Sequence, residues 1–248
     1  MDKKLINADD FGISNDVNLA IKECFLNKYI DRTTIMVNME NFDQAVDIAR
    51  KYNFFNRVGL HINLIEGVPL TESIKSTGFC TDGRFNGSFL KKTLNRFYLN
   101  KNDSKALKIE LSAQMEKYIA TGFTLKHIDS HEHSHTNPSV ARILLPLAKK
   151  YEFNSVRLSR NIPNKSIRGM KAIYKSLFNI RISRFNHRGI GEMTDVKAFG
   201  SLEDYENAIK NGEKYLKVEL MVHPILVNGK IVDAINPVGI GEWLDFWK

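Results

Sequence analysis

Seven short runs rich in β-branched and apolar residues alternate with stretches of helical periodicity along the chain: Lys4 to Ala8, Asp31 to Val37, Arg57 to Leu64, Leu125 to Asp129, Ser155 to Leu158, Asp195 to Ala198 and Lys217 to His223. The first gap holds a helix opening at Ser14, with Val17, Ala20, Ile21, Cys24 and Phe25 on one face. Further helices are expected over Asp43 to Tyr52, Asp103 to Thr121, Pro138 to Tyr151 and Leu202 to Leu216, the last started by a capping-box-like Ser201 and Asp204. Tight turns cannot join parallel neighbours, so strands separated by helices imply a parallel sheet with crossover helices. The fold class is therefore α/β. A closed or nearly closed barrel is the first reading and an open doubly wound sheet the second, because strand order is not written in the periodicity.

No repeat or linker divides the chain, and α/β barrels commonly fill about 250 residues as one unit, so residues 1–248 are read as a single domain. Two segments fit neither element: one at about 65–102, with the turn-rich Thr81-Asp-Gly-Arg-Phe-Asn-Gly87, and one at about 159–191. A hydrophobic share of 43% and a charged share of 26% are those of a globular protein, which excludes disorder, collagen and coiled coil. Cys24 and Cys80 are too few for a disulfide framework, which suits a reducing compartment. The apolar stretch around Pro146 is too short to span a bilayer, and no apolar h-region follows Lys3-Lys4, so a cytoplasmic protein without a membrane partner is expected. The net charge of +8 is local. Between Phe153 and Gly191 there is no acid, while Arg157, Arg160, Lys165, Arg168, Lys171, Lys175, Arg181, Arg184 and Arg188 occur.

Four of the seven histidines fall in His127-Ile-Asp-Ser-His-Glu-His-Ser-His135, a density that marks metal or catalytic chemistry better than a polar loop. There, the strand period of two puts His127 and Asp129 on one face, with His131 just past the strand's end. Asp9-Asp10 closes the first strand, where adjacent carboxylates repel unless a cation or a proton-transfer role offsets them. His61 in an apolar strand would alone be read as a core histidine, and His223 ends the last strand. All these lie at or beyond C-terminal strand ends, the face where α/β barrels and open α/β sheets carry their sites. One carboxylate and two imidazoles with open positions suit a divalent ion, with Zn, Mn, Fe or Co acceptable by ligand type.

At these residues the sequence resembles the YdjC-like carbohydrate deacetylases, which include bacterial chitooligosaccharide deacetylase. The matching segments are Asn7-Ala-Asp-Asp-Phe-Gly-Ile-Ser14, Thr33-Thr-Ile-Met-Val-Asn38, Gly59-Leu-His-Ile-Asn-Leu64, His127 to His135 and Met221-Val-His-Pro224. The resemblance implies a distorted (β/α) barrel of polysaccharide-deacetylase type, here with seven strands. It also implies one divalent ion, Zn or Mg foremost, held by Asp10, His61 and His131, with Asp9 as general base and His223 as acid. The family usually carries three consecutive histidines after Asp-Ser, whereas Glu132 is the middle one here, and the tail from Ile225, with its Val227-Asn-Gly-Lys-Ile231 hairpin signal, departs from it.

The expected activity is metal-dependent removal of an N-acetyl group from an amino sugar or short oligosaccharide, the acetylated sugar being a small-molecule partner and a homodimer being compatible with the sequence. His127, Asp129 and His135 are candidates to support the ligands or meet substrate. Two rivals are a metal-dependent phosphoester hydrolase acting on a phosphorylated sugar, with the basic segment holding phosphate, and a nucleic-acid-binding protein. The second is disfavoured because the basic stretch lacks a stacking motif.

Overall fold

The computed structural model describes residues 3–162, 169–187, 196–235 and 239–241. Its strands are β1 (Lys3–Phe11), β2 (Arg32–Ile35), β3 (Val58–Ile62), β4 (Cys80–Thr81), β5 (Arg84–Phe85), β6 (His127–Ser130), β7 (Ser155–Val156), β8 (Ala198–Ser201), β9 (Lys217–Val222), β10 (Pro224–Val227) and β11 (Lys230–Asp233). The helices are α1 (Asn15–Leu26), α2 (Phe42–Lys51), α3 (Glu72–Lys75), α4 (Ser88–Lys91), α5 (Thr93–Phe97), α6 (Lys101–Ala120), α7 (Pro138–Lys150), α8 (Met170–Asn186) and α9 (Leu202–Lys210).

Seven parallel strands form one curled sheet in the order β7-β6-β3-β2-β1-β9-β8. Going round it, the chain order is kept except for an opening between β7 and β8, so the sheet is a barrel left unzipped at one seam, as the α/β barrel reading expected. Across the seam, the Asn161 and Ile162 amides donate to the Phe199 carbonyl at 3.0 and 3.2 Å, and the Phe199 amide donates to Asn161 Oδ1 at 2.8 Å.

Each strand has two faces, and the sequence sorts them. Val58, Leu60, Ile62, Ile128, Val218, Leu220 and Val222 are buried in the apolar layer with Ile21, Ala45, Leu111, Met115 and Leu144 of the crossover helices. α1 starts where expected, with Ser14 Oγ accepting from the Val17 amide, and Ser201 and Asp204 close a full capping box on α9.

Four expectations shift. The sixth strand runs over Ala198–Ser201, later than the expected run, because its ladder with β9 pairs Ala198 with Val218 and Ser201 with Met221; Asp195 lies outside the described residues. The helix expected to reach Leu216 ends at Lys210, before Gly212 with φ of 82°. The basic segment, assigned to no element, contains the 17-residue helix α8. The segment 65–102 is also organised, by α3, α4, α5 and the β4–β5 hairpin, whose turn has Asp82 and Gly83 at φ of 50° and 74°. Asn228-Gly229 turns the β10–β11 hairpin with φ of 51° and 75°, as its sequence signal predicts.

One side chain pins the two strands that carry most of the candidate site. Tyr118 of α6 is fully buried, and its hydroxyl lies 2.8 Å from the Val58 carbonyl at the start of β3 and 2.5 Å from the Leu125 carbonyl just before β6. Tyr118→Phe removes the one proton these two carbonyls share, the Leu125 carbonyl keeping the His127 amide as donor, and should lower stability by about 1–3 kcal/mol. The urea midpoint measures this; an unchanged midpoint would show that the hydroxyl is dispensable.

Candidate active site

The inward face of the curled sheet is polar. The period of two turns Asn7 and Asp9 of β1, Arg32 and Thr34 of β2, His61 of β3, His127 and Asp129 of β6, and Glu219 of β9 into the barrel, where all are buried. Arg157, just beyond β7, is fully buried among them. Its Nη1 lies 2.6 Å from Asp9 Oδ2, and its Nη2 lies 2.8 Å from Asp9 Oδ1 and 2.7 Å from Asp129 Oδ2. Nε donates to Glu219 Oε1 at 2.6 Å, and the guanidinium lies over the Phe199 ring. Arg32 Nη2 meets the same Glu219 oxygen at 2.8 Å, and Arg32 Nε donates to Asn7 Oδ1. Burial alone would raise the Asp9 pKa, but the opposing charge and hydrogen bonds of Arg157 outweigh it and hold the carboxyl well below the usual range.

Consecutive strand residues point to opposite faces, so Asp9 and Asp10 could not serve one site in a regular strand. The β1–β2 register slips between Ala8 and Phe11, and Asp10 takes φ of 67°. This bulge re-aims Asp10 toward the histidines. Gly12 follows with φ of 95°, and its amide donates to Asn18 Oδ1, anchoring the turn to α1.

Asp10 Oδ1 lies 2.8 Å from His131 Nδ1 and 3.1 Å from His61 Nε2. His61 is held from behind, its Nδ1 lying 2.6 Å from Asp129 Oδ1 and 3.1 Å from Thr34 Oγ1, while Thr34 donates to Asp129 Oδ2. Glu66 Oε1 meets the other ring nitrogen of His131 at 2.9 Å. Burial works against charge on both rings, yet Asp129, Asp10 and Asp9 raise His61 to about 10, and hydrogen bonds to Asp10 and Glu66 raise His131 to about 9. The carboxylates thus pull positive charge into this end of the barrel. A divalent ion answers that demand, and Asp10, His61 and His131 offer one oxygen and two nitrogens within 4.8 Å of one another. Two other groups among the described residues have ligand spacing, Asp9 with His61 and Asp129, and His127 with Asp129 and Glu219, but in both the carboxylates already meet Arg157.

The other sequence candidates take different places. His127, expected at a C-terminal strand end, instead opens β6, because the ladder with β7 starts there; its Nδ1 lies 2.8 Å from Ser155 Oγ, and burial and the nearby Arg32 and Arg157 push its pKa well down. His135 bridges Ser130 Oγ and the Arg157 carbonyl at 2.6 and 3.1 Å, and burial lowers its pKa to about 4, so it fixes the backbone that presents Arg157. His223 Nε2 is 4.0 Å from Asp9 Oδ2, and its Nδ1 is 4.0 Å from Asp233 of β11, which also accepts from the His223 amide. Glu132, in the left-handed region with His133, is exposed and pairs with Lys91. Arg157 is a correction: counted with the cations of the basic segment that could hold phosphate, it is fully buried and paired with Asp9, Asp129 and Glu219. Glu219, Asp233 and Thr34 were also passed over. A lone Glu219 inside Val218-Glu-Leu-Met-Val222 was the available signal, since a central strand tolerates a charge only when it is paired.

A cavity of about 300 Å³ lined by Lys91, Arg96, Glu132, His133, Ser159 and Arg160 adjoins the cluster, and a smaller one of about 80 Å³ reaches His223 and Asp233, with Arg160 lining both.

The family model for YdjC-like proteins matches residues 4–238. Among curated relatives, a carbohydrate deacetylase of Brevibacillus brevis is 31% identical over 93% of this chain and 84% of its own length. One of Clostridium beijerinckii is 32% identical with the same coverage. A solved structure of a candidate cellobiose-phosphate cleavage protein from Enterococcus faecalis superposes with a TM-score of 0.65 at 22% identity, over 92% of this chain and 83% of that one, so the two share a fold.

The Arg157 network yields a stability prediction. Arg157→Met leaves Asp9, Asp129 and Glu219 without their shared cation and should cost about 3–5 kcal/mol. Arg157→Lys, which keeps charge but loses the fork, should cost less. Denaturant midpoints rank the three proteins; equal midpoints would mean that the network does not hold the fold.

Proposed function

This chain belongs to the YdjC-like family, and we propose that it is a metal-dependent carbohydrate deacetylase that removes the N-acetyl group of an amino sugar or short oligosaccharide, such as a chitooligosaccharide. The observation that carries the reading is the convergence of Asp10, His61 and His131 beside an ionised Asp9 and His223 at one end of the barrel. The carbohydrate deacetylase names of the relatives agree with it.

In this reading Asp10, His61 and His131 hold the ion, zinc or magnesium foremost and manganese, cobalt or iron by the same ligand types. When bound, the ion supplies Lewis acidity that polarises the acetyl carbonyl and acidifies water. Asp129 fixes the His61 ring through Nδ1, leaving Nε2 toward Asp10. Asp9 accepts the proton of the attacking water, and Arg157 keeps it a carboxylate until it does. As the new carbon–oxygen bond forms and the carbon–nitrogen bond breaks, His223 gives its proton to the departing sugar nitrogen. The products are acetate and a free amine. Asp9 Oδ2 and Asp233 Oδ2 flank His223, each 4.0 Å from one of its ring nitrogens. The cavity beside His133 and Arg160 receives the sugar.

Two experiments bear on these roles. Asp10→Ala, His61→Ala and His131→Ala should each lose metal and activity together; full metal occupancy by elemental analysis in all three would refute the ligand set. Asp9→Asn keeps one of the two oxygens that accept from the Arg157 fork and sets an NH2 against its other donor, so it should lower the denaturant midpoint yet leave metal bound while kcat for acetate release falls by ~10²–10⁴. Undiminished turnover would remove Asp9 from the reaction, and loss of metal would make it a ligand instead.

A further inference from the structure

Helix α8 reverses the usual order of a surface helix. Its inward residues Phe178 and Ile182 join the core, yet its outward face carries Met170, Ile173, Leu177 and Ile180, exposed by 86, 62, 62 and 47%. Their spacing of three, four and three residues makes one continuous apolar stripe. Beside it, Leu94 and Phe97 of α5 are exposed by 71 and 54%, and the Phe97 ring lies 6.3 Å from Tyr174 of α8, so the two helices form a single patch. A contiguous apolar surface of this kind marks a docking face.

Charge selects the occupant. Arg181 and Arg184 are exposed on the same outward face, and no acid occurs between Phe153 and Gly191. At the flank of α8 a cavity of about 600 Å³ is walled in part by Arg160, Arg184 and His187. A second copy of this chain, docked face to face, would set these arginines against their counterparts with no acid of the segment to separate them. An anionic lipid surface meets both halves of the pattern: its acyl boundary takes the aliphatic stripe, and its headgroups take the arginines. We propose that the outward face of α8, with Leu94 and Phe97, docks the protein peripherally onto an anionic lipid surface. No helix among the described residues is long and apolar enough to cross a membrane, and the expectation of no membrane partner drew on spans alone. Peripheral contact is a separate matter.

The proposal does not rest on the deacetylase reading, since its readout is binding. The full chain is floated with vesicles of phosphatidylcholine, with and without phosphatidylglycerol. Binding should require phosphatidylglycerol and weaken with added salt. It should fall by roughly tenfold or more in Arg181→Glu/Arg184→Glu and be lost in Ile173→Asp/Leu177→Asp, with thermal midpoints unchanged. Absence of vesicle binding, or equal binding to neutral vesicles, would overturn the proposal. So would a concentration-dependent dimer abolished by Ile173→Asp/Leu177→Asp, which assigns the face to a second copy, or a lowered midpoint in that variant, which assigns it to the chain's own packing.

Discussion

The structure turns on a guanidinium placed where water cannot reach it. Arg157 leaves the edge of the sheet at β7 and meets Asp9 of β1, Asp129 of β6 and Glu219 of β9. The β7 ladder pairs only His127 with Ser155 and Ile128 with Val156, so little backbone bonding ties that edge to the rest. Arg157 supplies a second tie, across the barrel interior, to β1 and β9, which β7 does not neighbour. A buried charge of this kind is expensive to desolvate, and its merit lies in specificity: only one arrangement of the four strands pairs every group. The same arrangement sets the carboxylates that the proposed chemistry uses.

Each central strand therefore meets two demands with alternate residues. Leu60 and Ile62 pack outward under the helices while His61, between them, faces Asp129 on the adjacent strand in direct register. Because Asp129 and Thr34 lie on rigid β-structure, the ring of His61 needs no rearrangement to face Asp10. The departure from regularity falls where the site needs it, at the bulge that gives Asp10 a positive φ. Strain tolerated at one residue lets two consecutive carboxylates work on one side of the sheet, one toward the histidines and one toward Arg157 and His223.

Much of the fold was legible before any coordinates. The alternating runs announced a parallel α/β sheet, the helix starts at Ser14 and Ser201 were written in their capping residues, and the period of two put Asp129 on an inward face with His131 just past the strand. Short-range patterns carry that information. Arg157 was misplaced because charge was averaged over a window, and a window cannot distinguish a strand residue that faces a buried carboxylate from a helix residue that faces water. His127, Asp129 and His135 look alike by position, but only Asp129 touches His61, since the others are turned by Ser155, Ser130 and the Arg157 carbonyl. Asp233 was invisible for another reason: its meeting with His223 depends on a hairpin folding back by ten residues.

The opening between β7 and β8 connects these features. A fully laddered barrel would place another strand between β7 and β8. Here the link is the short stretch Asn161–Ile162 bonded to Phe199, and Arg160 just before it lines the cavities on both sides. His133 and His223 reach those cavities from opposite flanks, so the seam gives a bound sugar room to lie across the end of the sheet rather than deep inside it. The helix that follows the seam, α8, faces its core side to Leu158, Ile162 and Phe199 in the apolar layer and its apolar stripe outward. Lipid docking through that stripe would therefore bring the unzipped edge of the fold, with the cavities that Arg160 lines, close to the lipid surface.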